Sequence, residues 1–266
     1  MSVTPAGTTS AAPPLRRPDG ARPRLLLAED SEAARVLTAA LIERMGCEVD
    51  AVAHGEDALA HAQDHAYDLI MLDIEMPVMD GVTAARRIRA LGGPIAATPI
   101  MALSAFLADS SRTTVWREDF DFTLSKPAGR NDLRRAIAGA LDAHWQPPGK
   151  PQNACDLDSG ELFDAKAMQL MAGSFTRESW NQLSGLVSGE IMTCVQTIEN
   201  AKKGHDRKTL RRAAHKLKGI ALSFSAMRLA EIARQAETVQ VDPAQIRDCA
   251  LQTLAAMRTF KASGIT

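Results

Sequence analysis

The sequence predicts an α/β domain, a doubly wound five-stranded parallel sheet, followed by an all-α helical bundle. Two observations predict the first part: short apolar runs such as L-L-L-A and L-I-M-L alternate with helical periodicity, and each run stops at a polar residue. Runs that are apolar without alternation belong to strands buried on both faces. A third observation predicts the second part. After a proline-rich break at 146–153, every long segment carries three- and four-residue spacing. The 266 residues suit two domains.

Residues 1–21, rich in Ser, Thr, Ala, Pro and Gly, read as a disordered lead-in. The first domain, 22–146, opens with a strand over 24–28, a helix over 32–45 and a strand over 48–53. A helix over 56–65 leads to the central strand at 69–73 and a helix over 82–91. Strand 100–104, helix 108–117, strand 123–126 and helix 131–144 complete the domain. Residues 147–158 are a linker, stiffened by prolines and without periodicity. In the bundle, 159–266, the residues Trp180, Leu183, Val187, Ile191, Cys194, Ile198 and Ala201 form one apolar stripe. Gly204 stops that helix and Asp206 can cap the next. Further helices are predicted over 161–171, 207–222, 226–239 and 243–263.

The strand ends carry the chemistry. Asp73 closes the central strand, and Glu29-Asp30 closes the first. Open α/β sheets bind ligands at this edge. Asp73 alone could be a helix-capping loop residue, although Asp80 is equally available as the cap. Three carboxylates at two strand ends are costly unless a cation sits among them. Ser104 and Lys126 end two further strands. Alone, one reads as a helix cap and the other as an exposed strand terminus. Together the five residues suit phosphoryl transfer. Glu29, Asp30 and Asp73 offer oxygen ligands to Mg²⁺. Asp73 is placed as the nucleophile, with Lys126 and Ser104 offsetting charge on the phosphoryl oxygens.

Residues 22–146 resemble a two-component receiver domain of flavodoxin-like fold. The resemblance rests on L-L-L-A-E-D ending at Asp30, D-I-E-M-P-V-M-D-G from Asp73, L-S-A ending at Ala105 and L-S-K-P ending at Pro127. It implies Asp73 as phosphoacceptor and Mg²⁺ held by Glu29, Asp30, Asp73 and the backbone carbonyl of Glu75. It also implies Ser104 and Lys126 as phosphoryl-binding groups, and a cis bond between Lys126 and Pro127. One position departs from the pattern. Receivers carry Tyr or Phe three residues before the lysine as a switch, and here Thr123 stands there, with Phe122 beside it.

A second constellation is A-H-K-L-K-G at 214–219. Leu210, Ala214, Leu217, Ala221 and Phe224 form the apolar stripe of its helix, which puts His215 on the outer half with Lys208, Arg211, Arg212, Gly219 and Leu222. A lone exposed histidine is ordinarily just surface. Lys218 one turn on can reach an anion on the imidazole, and helix-interior Gly219 clears space for a partner at a cost of roughly 0.5–1 kcal/mol relative to Ala. Leu222 reads as part of a docking patch. The segment resembles the histidine phosphotransfer (HPt) domain, with its H-x-x-K-G at His215, Lys218 and Gly219. A later small pair, Gly-Ala in many relatives, is Ser225-Ala226 here.

The implied function is a phosphorelay intermediate. A sensor histidine kinase phosphorylates Asp73, and His215 passes a phosphoryl group to or from a receiver aspartate of a downstream response regulator. The alternative is a non-catalytic regulator whose helical domain binds a partner while His215 is incidental. An ATP-using kinase is disfavoured, since no glycine-rich nucleotide lid follows the histidine. No nucleic-acid-binding pattern appears, and no apolar run approaches the 18 or so residues of a membrane span. Cys47, Cys155, Cys194 and Cys249 show no C-x-x-C spacing, which suits a reduced, cytoplasmic setting. The net charge of -1 conceals an asymmetry: 22–146 holds 13 basic and 19 acidic residues, whereas 147–266 holds 16 and 12. Opposite charge favours docking of the basic face around His215 on an acidic receiver mouth, weakened by salt.

Overall fold

The computed structural model describes residues 13–104, 119–126, 128–142, 162–238 and 241–260. Five parallel strands, β1 (Arg24–Ala28), β2 (Glu48–Val52), β3 (Leu69–Asp73), β4 (Ile100–Ser104) and β5 (Phe122–Ser125), pair in the order β2-β1-β3-β4-β5. Around them run α1 (Glu32–Arg44), α2 (Gly55–Asp64), α3 (Gly81–Ala90), the short α4 (Gly93–Ala96) and α5 (Arg130–Leu141). The predicted helix over 108–117 and the Lys126–Pro127 bond fall outside the described residues. The strand order reverses between β1 and β3, so Ala28-Glu29 and Asp73 end side by side.

Alternate strand residues divide the core. Leu25, Leu27, Leu69, Met71, Met101 and Leu103 pack with Leu37 and Leu41 of α1 and Leu133 and Ile137 of α5. Leu26, Ile70, Leu72, Ile100 and Ala102 pack with Ala58 of α2 and Ala84, Ala85 and Ile88 of α3. Period-two alternation is what a strand covered on both faces requires. Gly81, opening α3, has a steric reason. A Cβ there would lie 2.1 Å from the carbonyl oxygen of Asp73. Asp80 is the cap, its side chain accepting from the Thr83 N–H at 2.7 Å, which leaves Asp73 free of that duty.

The bundle comprises α6 (Ala165–Ala172), α7 (Arg177–Lys203), α8 (Arg207–Ser223), α9 (Met227–Thr238) and α10 (Pro243–Met257). Every residue of the predicted α7 stripe is buried. Gly204 ends α7, and Asp206 caps α8 by accepting from the Thr209 N–H. α8 packs between α7 and α9 while α10 covers the other side.

Two expectations change. Of the lead-in, residues 13–21 lie against the turn after α1: the Leu15 N–H donates to Met45 O at 2.7 Å, and Leu15 packs on the core. Second, the two domains meet through an apolar contact and not through opposite charge alone. α1 packs against α7 and α8, so the apolar core runs from the sheet through α1 into the bundle.

Candidate functional site

At the C-terminal edge of the sheet, Glu29 (after β1) and Asp73 (ending β3) share one ammonium. Lys126 Nζ donates to Asp73 Oδ2 at 2.8 Å and to Glu29 Oε2. Burial on its own would pull the lysine down, but the Asp73 and Glu29 carboxylates hold it above the usual lysine range. The Glu29 carboxyl is pushed up to about 8 by burial, opposed by Lys126 and reinforced by Asp73. Asp30 is raised as well, first by burial. Ligand oxygens of Glu29, Asp30 and Asp73 all lie within 4.8 Å of one another. Lys126, with Lys216 Nζ more distant at 3.9 Å from Asp30 Oδ2, does not match three crowded carboxylates, so the donor set fits a hard, oxygen-seeking dication. Ser104 is 2 % exposed at the end of β4, in line with this edge. Thr123, at the position of the usual aromatic, is exposed, and Phe122 packs on the core.

In the bundle, α8 presents His215 half-buried rather than fully outward. Lys208, Arg211 and Arg212 are exposed as predicted, but Lys218 and Leu222 are 3 % and 4 % exposed. Leu222 is therefore core and not a docking patch. α8 is flanked by α7 on one side and α9 on the other, which buries a wider arc than a single stripe. Among the described residues, a Cβ at Gly219 would meet nothing within 4 Å. Ser225 has φ of 52°, in the left-handed region, so the serine that replaces glycine there is small but strained.

Sequence reasoning missed the residue that organises His215. Glu237, on α9, accepts from Lys218 Nζ at 2.7 Å and lies 3.2 Å from His215 Nδ1. Burial would raise this carboxyl, yet the hydrogen bonds from His215 and Lys218 hold it below the ordinary glutamate value. Lys218 is lowered by burial despite Glu237. A glutamate 22 residues along, on another helix, leaves no local signal.

The two sites face each other. His215 Nε2 lies 3.1 Å from Glu75 Oε2, two residues beyond Asp73. Lys216 Nζ, next in sequence, lies 3.4 Å from the Asp30 carbonyl oxygen. A second missed residue, Glu190 of α7, reaches the first turn of α1. Glu75 thus has its side chain turned toward the bundle, while the resemblance assigns only its backbone carbonyl a role.

Comparison with known proteins agrees with both halves. Residues 25–138 match the response regulator receiver domain, and residues 182–260 match the Hpt domain. Sensor protein GacS of Pseudomonas syringae is 27% identical over 223 residues, covering 82% of this chain and 24% of the relative. The chain thus spans about a quarter of the length of that relative. Two-component response regulator ORR41 of Oryza sativa is 41% identical over 121 residues, 43% of this chain and 91% of the relative. Among solved structures, the receiver domain of sensor histidine kinase PA1611 from Pseudomonas aeruginosa, with a magnesium ion in its active-site cleft, is 31% identical. It covers 46% of this chain and 98% of its own, with a TM-score of 0.43. Sheet order, acidic cluster and sequence matches converge: the chain belongs to the two-component response-regulator family, as a receiver domain fused to an Hpt domain.

Proposed function

We propose that this chain is a phosphorelay intermediate in which Asp73 is the phosphoacceptor of the receiver and His215 the phosphotransfer residue of the bundle. The observation that carries the reading is the facing of the two sites, with His215 Nε2 3.1 Å from Glu75 Oε2 and Asp73 two residues away. A sensor histidine kinase is the phosphoryl source, and a receiver aspartate the other partner of His215. Similarity to a sensor kinase over both domains supports that pairing. No helix among the described residues is long and apolar enough to cross a membrane, and a cytoplasmic setting fits the free Cys47, Cys194 and Cys249.

The chemistry follows from charge. Asp73 attacks phosphorus through a carboxylate oxygen, and Lys126, which donates to Asp73, and Ser104, at the end of β4, would pair with the phosphoryl oxygens. Glu29, Asp30 and Asp73 would hold Mg²⁺, which supplies positive charge to the phosphoryl oxygens when bound. At the second site, Glu237 holds Nδ1 of His215 and leaves Nε2 as the nucleophile. Transfer then forms a P–N bond to Nε2 and breaks the P–O bond to Asp73, whose carboxylate keeps the electron pair. The Nδ1 proton stays between His215 and Glu237. Reversal runs the same atoms backwards.

The test is phosphoryl linkage. Wild type, Asp73→Ala and His215→Ala are incubated with Mg²⁺ and a small acyl phosphate, and intact mass is read before and after mild alkali. Acyl phosphate is cleaved and phosphohistidine survives. Alkali-stable phosphate on wild type and on neither variant is expected. Only alkali-labile phosphate on wild type would sink the role of His215 in relaying from Asp73.

A further inference from the structure

The N-terminus of α1 is satisfied from outside its own domain. The first helical N–H groups of any α-helix lack intrahelical acceptors. Here the Ala34 N–H donates to the Ser31 hydroxyl oxygen at 3.1 Å, an ordinary cap. The Glu32 and Ala33 N–H groups instead donate to Glu190 of α7, at 3.0 and 3.2 Å. The Ser31 hydroxyl donates to the same carboxylate at 2.7 Å. Glu190 meets the positive end of the helix dipole, and Lys216 Nζ lies 3.7 Å behind it as a counter-charge.

The other end of α1 is held too. The Arg44 guanidinium carbon sits 5.3 Å from the centre of the Phe175 ring, just before α7. At 1.5 Å per residue, Glu32 to Arg44 spans about 18 Å and Arg177 to Glu190 about 20 Å, so α1 lies antiparallel along the first half of α7. Asp30, two residues before Glu32, belongs to the acidic cluster, so fixing the start of α1 fixes where that cluster faces.

We propose that the receiver served by His215 is this chain's own, and that Glu190 is the positioning residue that selects it. The inference rests on the relay reading above. Capping α1, Glu190 seats α8 over the acidic edge so that His215 meets Asp73 within one chain. A tethered partner is presented at an effective concentration on the order of millimolar, far above any free receiver. Any helix start offers open amides, so the part of this contact that another receiver would lack is the Ser31 hydroxyl, which donates to Glu190 at 2.7 Å.

The test uses the full chain with Mg²⁺ and a small acyl phosphate, reading alkali-stable phosphate on His215 against time. Wild type should transfer at a rate independent of chain concentration. A mixture of Asp73→Asn and His215→Gln chains should transfer at least about tenfold more slowly at micromolar concentration. Glu190→Arg should slow intrachain transfer by about tenfold or more and Glu190→Gln by less, because charge is reversed in one and only removed in the other. Asp73 should still take up alkali-labile phosphate in both.

Hydrogen exchange gives a readout independent of transfer. The Glu32 and Ala33 amides should be protected in wild type and open in Glu190→Arg, with the rest of the sheet and bundle unchanged. Wild-type transfer rates in Glu190→Arg, or a wild-type rate that rises in proportion to concentration, would overturn the selection by Glu190 while leaving the relay intact. No phosphate on His215 in wild type would remove the relay reading and this inference together.

Discussion

His215 stands between two carboxylates, Glu237 3.2 Å from Nδ1 and Glu75 3.1 Å from Nε2. Only a ring protonated on both nitrogens donates to both, so a nucleophilic His215 must release Glu75 while keeping Glu237. The two glutamates therefore separate by role. Glu75→Ala should leave transfer from Asp73 within about twofold of wild type, since the side chain must move aside and its backbone carbonyl remains. A loss above about tenfold, in the phosphate-linkage assay, would make Glu75 a proton acceptor in the step.

Glu237→Ala removes a 2.7 Å acceptor from a lysine side chain that is 4% exposed. Breaking a buried pair by one partner costs about 3–5 kcal/mol, which urea denaturation of the full chain would show. Transfer should fall as well, and the loss of the Glu237 contact at Nδ1 should appear in the imidazole nitrogen shifts of His215.

Acid should weaken the bundle through the same residue. Burial acts to raise the Glu237 carboxyl, but hydrogen bonds from His215 and Lys218 leave it below the ordinary value, about 4.3 in an unfolded chain. The folded state thus binds its proton less readily than the unfolded one. Its stabilisation is complete above the unfolded pKa and is lost as pH falls through the folded one. Wild type should lose stability faster than Glu237→Gln as pH drops below about 5, measured by thermal melts across that range.

Added Mg²⁺ should raise the melting temperature, because a ligand that binds only the folded state at 100 times its Kd adds about 2.7 kcal/mol. Asp30→Asn should blunt that increase and Glu190→Gln should not. An equal increase in wild type and Asp30→Asn would exclude Asp30 from the metal site.

Two glycines should respond in opposite senses to alanine. Gly81→Ala drives a methyl into the Asp73 carbonyl oxygen, 2.1 Å away, and overpacking against backbone costs about 1–3 kcal/mol or more. Gly219→Ala, in the middle of α8, meets nothing within 4 Å among the described residues and should stabilise by roughly 0.5–1 kcal/mol. Its effect on transfer is the sharper measurement. Intrachain transfer should be unchanged, since a methyl at that position meets no described residue of the receiver.

The sequence by itself determined both architectures. The apolar runs before Glu29, Asp73 and Ser104 are buried central strands, the run before Lys126 is the edge strand β5, and strand ends in a parallel sheet share one edge, so the gathering of these residues at one edge was legible in the sequence. Periodicity likewise placed the α7 stripe, and Gly204 and Asp206 marked the turn after it. Local patterns ended there. They put Leu222 on the outside of α8, because the width of a buried arc depends on how many neighbours a helix has. They passed over Glu237 and Glu190, each an ordinary acid on an amphipathic helix, because a carboxylate acquires its role from groups far away in sequence. Which helix supplies the second nitrogen's partner, and which domain caps α1, are long-range pairings. Only tertiary structure, by bringing residue 190 to residue 31 and residue 237 to residue 215, decided them.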